Sequence, residues 1–579
     1  VPGSPASRGA ATGEILSGDI ISGDLVSGAS GGEAGRNWIE PLIDRIVCGE
    51  QEFLAALRRY RPMLETYLQE SSEGHSGTEP AGSDHYMIGR LRLGQGVEFE
   101  AFLLSQSFRV GRVRADSPVQ RRARLRFGRR PRRVFLPHGF ARMVAPDVRD
   151  FSRSAYRFDY VRREFLGAVR CLVLDVSPRE QNATGRFLGR IWVEDQHGCL
   201  VRFNGTFTST RSSAVFFHFD SWRFSIAPRL WLPAVVYIED RGPARGGGPL
   251  RGGDAVRFAG QIRVWGYNGV TSGTLEGSAE ILVEGDGRVE DASGSRDIDP
   301  LECRRSWQRQ AQGNLIDRLE KGGFLAAEGE LDETLNAVIE NLLASNEISL
   351  DVRCRVLLTT PLETLSIGQA IIISRGLLDV LPDESSLAMV LSDELAHIVL
   401  GHPTDTMFAF ADRTMFPDRE IPRRLRFQRT ETEMEAAHQK ALEILSHSAY
   451  ANTMATAGLF LKTLRRRAPQ LPNLIRASLG NQLTTEEDLV RLGELAKKTP
   501  ELKTARGEQV AALPLGSRLK LDPWTSQLRM LEGKPTTPRD AGDEAHFGVT
   551  PLMIHLTRAP EAVDEEPRRA PKVRTAAEP

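Results

Sequence analysis

Asp393-Glu394-Leu395-Ala396-His397 places two acids and a histidine within one and a half helical turns. Positions four apart share a helix face, so Asp393 and His397 would point the same way, with Glu394 beside them. The spacing is that of the H-E-x-x-H motif with aspartate in place of the first histidine. In the intact motif the end residues hold Zn²⁺ and the glutamate polarises a metal-bound water. A bare D-E-x-x-H is a weak signal, because acids and histidines are common on solvated helix faces. Here it sits between Leu387-Ala388-Met389-Val390-Leu391-Ser392 and Ile398-Val399-Leu400-Gly401-His402. That apolar, helix-forming run predicts burial. Acids in such a helix need a partner or a cation. A third ligand is expected from a following helix, and Glu431 to Leu445 reads as one, with Ala436, Ala437, Ala441, Leu442 and Leu445 on its apolar face.

Several linked blocks frame this motif. Ala370-Ile371-Ile372-Ile373-Ser374-Arg375-Gly376-Leu377-Leu378 reads as a strand entering a helix, and Asp383 to Leu391 as the run leading into the motif helix. With Glu433-Met434-Glu435-Ala436, these blocks make residues about 330 to 480 resemble the HtpX-type and CAAX-prenyl-protease-type zinc metallopeptidases, which are gluzincins. The resemblance implies one Zn²⁺, with Glu394 as general base, His397 and Glu433 as ligands, and Asp393 in the first histidine's place. It also marks three departures. Asp393 is shorter and harder than imidazole. Ala437 stands where an acid would orient the first ligand. Leu362-Glu363-Thr364 replaces the N-A-F segment along the substrate edge. His438 offers a replacement ligand by a helix rotation, against the plainer reading of a solvated surface histidine.

Length and composition bound the remainder. A chain of 579 residues predicts more than one domain. Lys+Arg 75 against Asp+Glu 76 gives no global pull towards nucleic acid or an anionic membrane. Cys48, Cys171, Cys199, Cys303 and Cys354 are scattered without a C-x-x-C pair, which fits neither a zinc ribbon nor a disulfide scaffold. No apolar run has transmembrane length. No signal peptide is visible, and a start at Val1 leaves room for a leader removed or left out.

Six segments are expected. Residues 1–35 are a disordered Gly/Ser-rich leader, 36–83 a helical segment, 84–290 an antiparallel β domain, 300–485 the metallopeptidase-like domain, 486–558 an extension ending in a strand over Phe547 to Leu556, and 559–579 a disordered tail. The helical segment is read from Ile43, Ile46, Val47, Phe53, Leu54, Leu57, Tyr60, Met63, Leu64 and Leu68, broken or kinked at Pro62. Core helices are expected over Met454 to Leu464 and Leu474 to Leu483.

Alternating apolar stretches at Ala168 to Val176, Gly189 to Glu194, Leu200 to Asn204, Ser213 to Phe219, Ala234 to Glu239 and Phe258 to Tyr267 carry the β reading. Their order resembles the open sheet of lipoprotein-carrier-like (LolA/LolB-like) domains, which implies an extracytoplasmic location, in the bacterial periplasm or secreted. The apolar face of such a sheet would hold a lipid or an extended peptide, or be covered by the chain's own helices. The arginines from Arg121 to Arg133 read as a solvated loop rather than a nucleic-acid site, and the Gly242 to Gly253 loop lacks the lysine of a phosphate loop.

The fold class expected is α+β: an antiparallel open sheet, then a mainly helical gluzincin domain. Two functional readings compete. One is a zinc metalloendopeptidase acting on peptides or misfolded protein; the other is an inactive homologue that binds a peptide or an envelope protein. No nucleic acid is expected, a peripheral membrane contact is left open, and oligomeric state is not legible.

Overall fold

The structure, a computed structural model, describes residues 39–72, 82–94, 96–108, 134–180, 183–209, 216–242, 256–267, 300–485, 487–502, 511–516, 518–531, 547–552 and 554–559. The leader, the arginine run, most of the glycine-rich loop and the tail lie outside them.

Helix α1 (Ile39–Leu57) keeps the expected apolar spacing but stops before Pro62. The next element is a strand, β1 (Met63–Ser72), not more helix. Met63 and Tyr67 enter one core while Leu64 and Leu68 enter the other. With both faces buried, the apolar residues fall as the pairs Met63-Leu64 and Tyr67-Leu68, four positions apart, which is helical spacing. Nine more strands complete one antiparallel sheet: β2 (Gly82–Leu93), β3 (Val97–Leu104), β4 (Tyr156–Leu166), β5 (Val169–Pro178), β6 (Phe187–Glu194), β7 (Leu200–Phe207), β8 (Phe219–Ala227), β9 (Leu230–Gly242) and β10 (Val256–Trp265). Their order is β3-β2-β1-β10-β9-β8-β7-β6-β5-β4. The pairing of β1 with β10 joins the first three strands to the later meander.

One face of this sheet carries Phe187, Phe203, Phe219 and Phe258, packed under Leu42, Ile46, Phe53 and Leu57 of α1 and under Phe135 and Phe140. The apolar face weighed as a lipid site is thus covered by the chain's own side chains. On the other face, Met63, Tyr67, Tyr86 and Trp265 pack on Leu315, Leu319 and Phe324 of the C-terminal region. Trp192, Trp222 and Trp231 lie beneath Ile554 and Leu556. The segment from Phe547 forms no strand: beyond one isolated bridge, Leu515 to Val549, it runs as an extended cover, fixed where Leu556 O accepts Ala168 N–H at 2.9 Å.

The C-terminal region places α2 (Pro300–Lys321) and α3 (Glu330–Ser345) before a small sheet of β11 (Arg353–Leu357), β12 (Glu363–Ile367) and β13 (Ala370–Ser374). Then come α4 (Arg375–Val380), α5 (Glu384–Val399), α6 (Glu431–Ser446), α7 (Met454–Arg467) and β14 (Asn481–Gln482). The sheet order is β11-β13-β12-β14, parallel only between β11 and β13. The helix expected over Leu474 to Leu483 reduces to one turn, Pro472–Ile475, ahead of β14. Gly480 explains why: its backbone lies so close to β12 that a Cβ would sit 2.2 Å from Thr364 O. The chain is α+β, with a large antiparallel sheet and a helical C-terminal region. Among the described residues no helix is long and apolar enough to cross a membrane.

A buried ion cluster locks the two regions together. Arg375 at the start of α4 donates to Glu65 of β1 at 2.7 Å and to Asp379 at 3.4 Å. Every carboxylate oxygen there has a partner. Glu65 accepts Tyr86 OH and the Thr360 N–H and hydroxyl. Asp379 also accepts the Gly516 and Leu519 N–H groups.

Candidate functional site

Helix α5 forms where the sequence predicts it, with the Asp383 carboxylate accepting the Ser386 N–H at 2.8 Å as its N-cap. Asp393, Glu394 and His397 are all fully buried on it. Two like charges in an apolar helix require a counter-charge. That counter-charge is Arg491, itself fully buried. Its Nε and Nη2 both engage Asp393 Oδ2. Nη2 also reaches Glu394 Oε1 at 2.9 Å, and Nη1 donates to Thr364 Oγ1 at 2.6 Å. Thr364 in turn donates to Glu394 Oε1 at 2.7 Å, and Asn481 Nδ2 approaches the same oxygen at 3.3 Å. The planar guanidinium, with its fork of donors, fits two carboxylates in a way a lysine would not.

Burial alone would raise the Glu394 carboxyl. Arg491, helped by His397, Thr364 and Asn481, overrides that and holds it down at about 2. Burial pushes His397 down to about 4, against the pull of Glu394 and Asp393. His397 is therefore neutral at pH 7, with Nδ1 2.7 Å from His402 Nδ1.

Arg491 arrives by a built route. Glu363 of β12 is fully buried and accepts the N–H groups of Ser478, Leu479 and Gly480 at 2.8–2.9 Å. This nest fixes β14 against β12, in register Glu363 with Gln482 and Thr364 with Asn481. The chain then turns through Thr485 and Asp488, whose carbonyl accepts the Thr485 N–H at 2.8 Å. It returns so that Val490 N and Arg491 N both meet Leu483 O. The residues read as departures from the substrate edge, Glu363 and Thr364, are those that hold β14 and orient Glu394. At Glu363 and Thr364 the edge of β12 is paired by the chain itself.

The sequence-predicted site residues do not all meet. Asp393, Glu394 and His397 do. Glu433 is held elsewhere: its carboxylate accepts the Thr430 N–H and hydroxyl, both at 2.9 Å, closing the capping box of α6. Those Thr430 hydrogen bonds, led by the backbone one, hold its pKa down. Ala437 is buried. His438 is not a solvated surface histidine; Nε2 turns in to 3.7 Å from Asp393 Oδ1, and burial lowers its pKa. Sequence reasoning missed Arg491. Its one signal is a lone arginine in the apolar run Leu489-Val490-Arg491-Leu492, a cation in a position that burial alone would disfavour.

Zinc would need donors that these residues do not present together. The fork of Arg491 lies across Asp393 and Glu394, Glu433 is committed to its cap, and no three His, Cys, Asp or Glu side chains are grouped to hold a metal among the described residues. The donor set does not fit zinc while the guanidinium is in place. The cluster is still incomplete. Asp393 Oδ1, Glu394 Oε2, His397 Nε2 and His438 Nε2 are buried and make no hydrogen bond.

Beside the cluster lies a cavity of about 520 Å³ between the two regions, walled by Leu103 and Leu104 of β3, Met434, Val490, Asn481 and three arginines, Arg426, Arg429 and Arg476. Among the described residues no acidic side chain lines it. Arg429 also braces the motif, donating to Ser366 Oγ at 3.0 Å and to Pro403 O.

No family model matches the sequence, and no curated protein matches it. Solved structures similar to the N-terminal half include a LolA superfamily protein from Nitrosomonas europaea, at 12% identity and a TM-score of 0.19, covering 38% of this chain and 92% of that one. A lipoprotein-sorting domain from Vibrio parahaemolyticus also matches at 12% and 0.19, over 40% and 94% of the two chains. A DUF1329 family protein from Desulfovibrio piger matches at 10% and 0.18, over 39% and 92%. Likeness at this level carries no functional weight.

Proposed function

We propose that this protein is a non-catalytic binding module. Its D-E-x-x-H helix serves as a structural ion cluster, and its ligand is an acidic peptide segment of another protein. One observation carries the reading: the Arg491 guanidinium lies across both acids of the motif and is fully buried there. A general base must be free to take a proton from a water. Against its burial, Glu394 is instead held at about 2 by the guanidinium, which makes it a weak base at pH 7. Three donors occupy one of its oxygens, and the whole side chain is buried away from solvent. The pairing of Glu363 and Thr364 with β14 supports the same reading, because an extended substrate would need that part of the edge.

The cavity beside the cluster supplies the ligand class. Three arginines with no acid among its lining residues favour carboxylates, and Leu103, Leu104, Met434 and Val490 give apolar contact for neighbouring side chains. An envelope or misfolded protein outside the cytoplasm is the partner expected from the sequence, and it stays part of this proposal.

Fluorescence anisotropy with two labelled peptides of equal length, one Glu-rich and one Lys-rich, tests it. The Glu-rich peptide should bind selectively, and Arg426→Glu with Arg476→Glu should weaken it about tenfold or more. Both side chains lie at the surface, so the fold should persist. Equal binding of the two peptides would remove the proposal. Cleavage of unfolded casein that Glu394→Gln abolishes would reinstate the zinc endopeptidase.

A further inference from the structure

The two ends of the large sheet are treated differently. At one end, the helical turn Ile421–Arg424 packs against β3, and Arg419 lies 3.7 Å from Glu100 of that strand. At the other end stands β4, which pairs only with β5 among the described residues. Half of the N–H and C=O groups of an edge strand point away from its one neighbour, and can pair with another chain. Such edges are commonly blunted by shortness, proline or lysine. β4 runs for 11 residues, Tyr156 to Leu166, and contains neither proline nor lysine. Phe165 on it is 68% exposed, and Tyr160 and Val161 are each 37% exposed.

The register with β5 sorts these side chains by face. Arg157, Asp159, Arg162 and Glu164 stand opposite Ser177, Asp175, Val173 and Cys171, so all four share one face. Phe158, Tyr160, Arg163 and Phe165 stand opposite Val176, Leu174, Leu172 and Arg170, on the other face. The register shifts between Tyr160 and Arg162, so Val161 is the extra residue of a bulge. That bulge is why Arg162 keeps the face of Asp159 across an odd step. The charged face therefore reads plus, minus, plus, minus. Within the strand, Arg157 Nε lies 2.9 Å from Asp159 Oδ2, and Arg162 pairs with Glu164. Reversed end to end, such a sequence of charges is its own complement.

We propose that β4 pairs with β4 of a second copy of this chain, antiparallel about a two-fold axis between Tyr160 and Val161. In that register Arg157 meets the partner's Glu164, and Asp159 meets the partner's Arg162. The two-fold repeats both contacts, so every charge on this face is directly opposed by its opposite. On the other face Arg163 meets the partner's Phe158, a cation beside a ring, and the exposed Phe165 meets the partner's Tyr156. The bulges face each other at the axis. Tyr160 and Val161 then separate Asp159 from Arg162 on both strands, and neither strand gains on the other. A slip of two residues one way opposes Arg157 with Arg162, and the other way Asp159 with Glu164. Both set like charges against each other, which is unfavourable across a strand pair. The charge order thus selects one register and one occupant.

Sedimentation velocity of the full chain over a dilution series tests this. Wild type should pass from monomer to dimer as its concentration rises. Arg157→Glu with Arg162→Glu makes the charged face wholly acidic, and Asp159→Arg with Glu164→Arg makes it wholly basic. Arg157, Asp159 and Arg162 are exposed and Glu164 is half-buried, so both variants should keep the melting temperature of wild type. Each variant alone should self-associate about tenfold or more weakly than wild type. Mixed, the two should recover a one-to-one dimer, because every opposed pair is again opposite in charge. Wild type that stays monomeric at every concentration overturns the proposal, whatever the variants do. A dimer that both variants retain places the contact elsewhere and overturns it too. So does a mixture of the two folded variants that stays monomeric where wild type dimerises, since the register then has no part in the contact.

Discussion

Two buried arginines in this molecule each sit between two carboxylates, and the surroundings of the acids differ. At the seam between the regions, Arg375 joins Glu65 and Asp379, and every acid oxygen is met by a hydroxyl, a backbone N–H or the guanidinium. In the motif helix, Arg491 joins Asp393 and Glu394, yet one oxygen of each acid and two histidine nitrogens have no partner. The acids of the seam are fully met, although Arg263 beside Asp379 keeps Nε and Nη2 without a hydrogen bond. The motif cluster keeps buried polar atoms that its arginine does not reach. A buried ion pair is weak evidence for stability, but removing one partner is costly. Similar damage is therefore expected when either arginine is lost, and different behaviour when the unpaired groups are removed.

The largest effect is expected from Arg491→Leu, which strands two buried acids and should cost about 3–5 kcal/mol in urea unfolding. Arg375→Leu should cost a similar amount. A small loss at Arg491 beside a large one at Arg375 would break the comparison, by showing that the motif acids have another counter-charge.

Acid should expose the motif cluster next. His397 titrates at about 4 when folded, against 6.5 for the free side chain. Glu394 titrates at about 2, against 4.5. Both folded values are depressed, so the folded state binds protons less readily than the unfolded chain. Stability should be full above pH 6.5, fall towards pH 4 through His397, and fall again from 4.5 towards 2 through Glu394. Each leg corresponds to about 3 kcal/mol at one pKa unit per 1.36 kcal/mol. His397→Phe should flatten the first leg when midpoints are compared across pH; an unchanged slope between pH 6.5 and 4 would exclude His397 as its source.

Smaller effects separate cap from ligand. Glu433→Ala should cost about 1 kcal/mol by opening the α6 capping box. It should leave the acid legs in place. His438→Leu exchanges an unpaired buried nitrogen for an apolar group and should be neutral or stabilising by about 1 kcal/mol. Loss of more than that would mean His438 has a partner at Asp393 closer than the 3.7 Å seen here.

The motif helix, the strand entering α4, and α6 were legible because each is local: their periodicity lies within a dozen residues. Of the long antiparallel strands, β5, β6, β7, β9 and β10 were legible by alternation; β2, β3 and β4 were not singled out, and the stretch Ser213 to Phe219 stops where β8 begins. β1 was not legible, since Met63 to Leu68 faces two cores and loses its period-two pattern. Glu433 matched a ligand by its place after the motif, but the same spacing from Thr430 makes a capping box, and the local bond won. Arg491 was out of reach for a different reason. It lies 97 residues from Glu394 and enters through a turn fixed by Glu363, a pairing that only the tertiary fold creates. The acids were in view from their own helix; the cation that meets them was not.

Zinc titration by calorimetry at pH 7.5, with elemental analysis of the same wild-type sample, tests the central claim most directly. With the Arg491 guanidinium across Asp393 and Glu394, no saturable zinc site should appear in wild type, and metal content should stay far below one per chain. About one tightly held zinc per chain, lost on His397→Ala, would contradict the claim that Arg491 is the cation of this site.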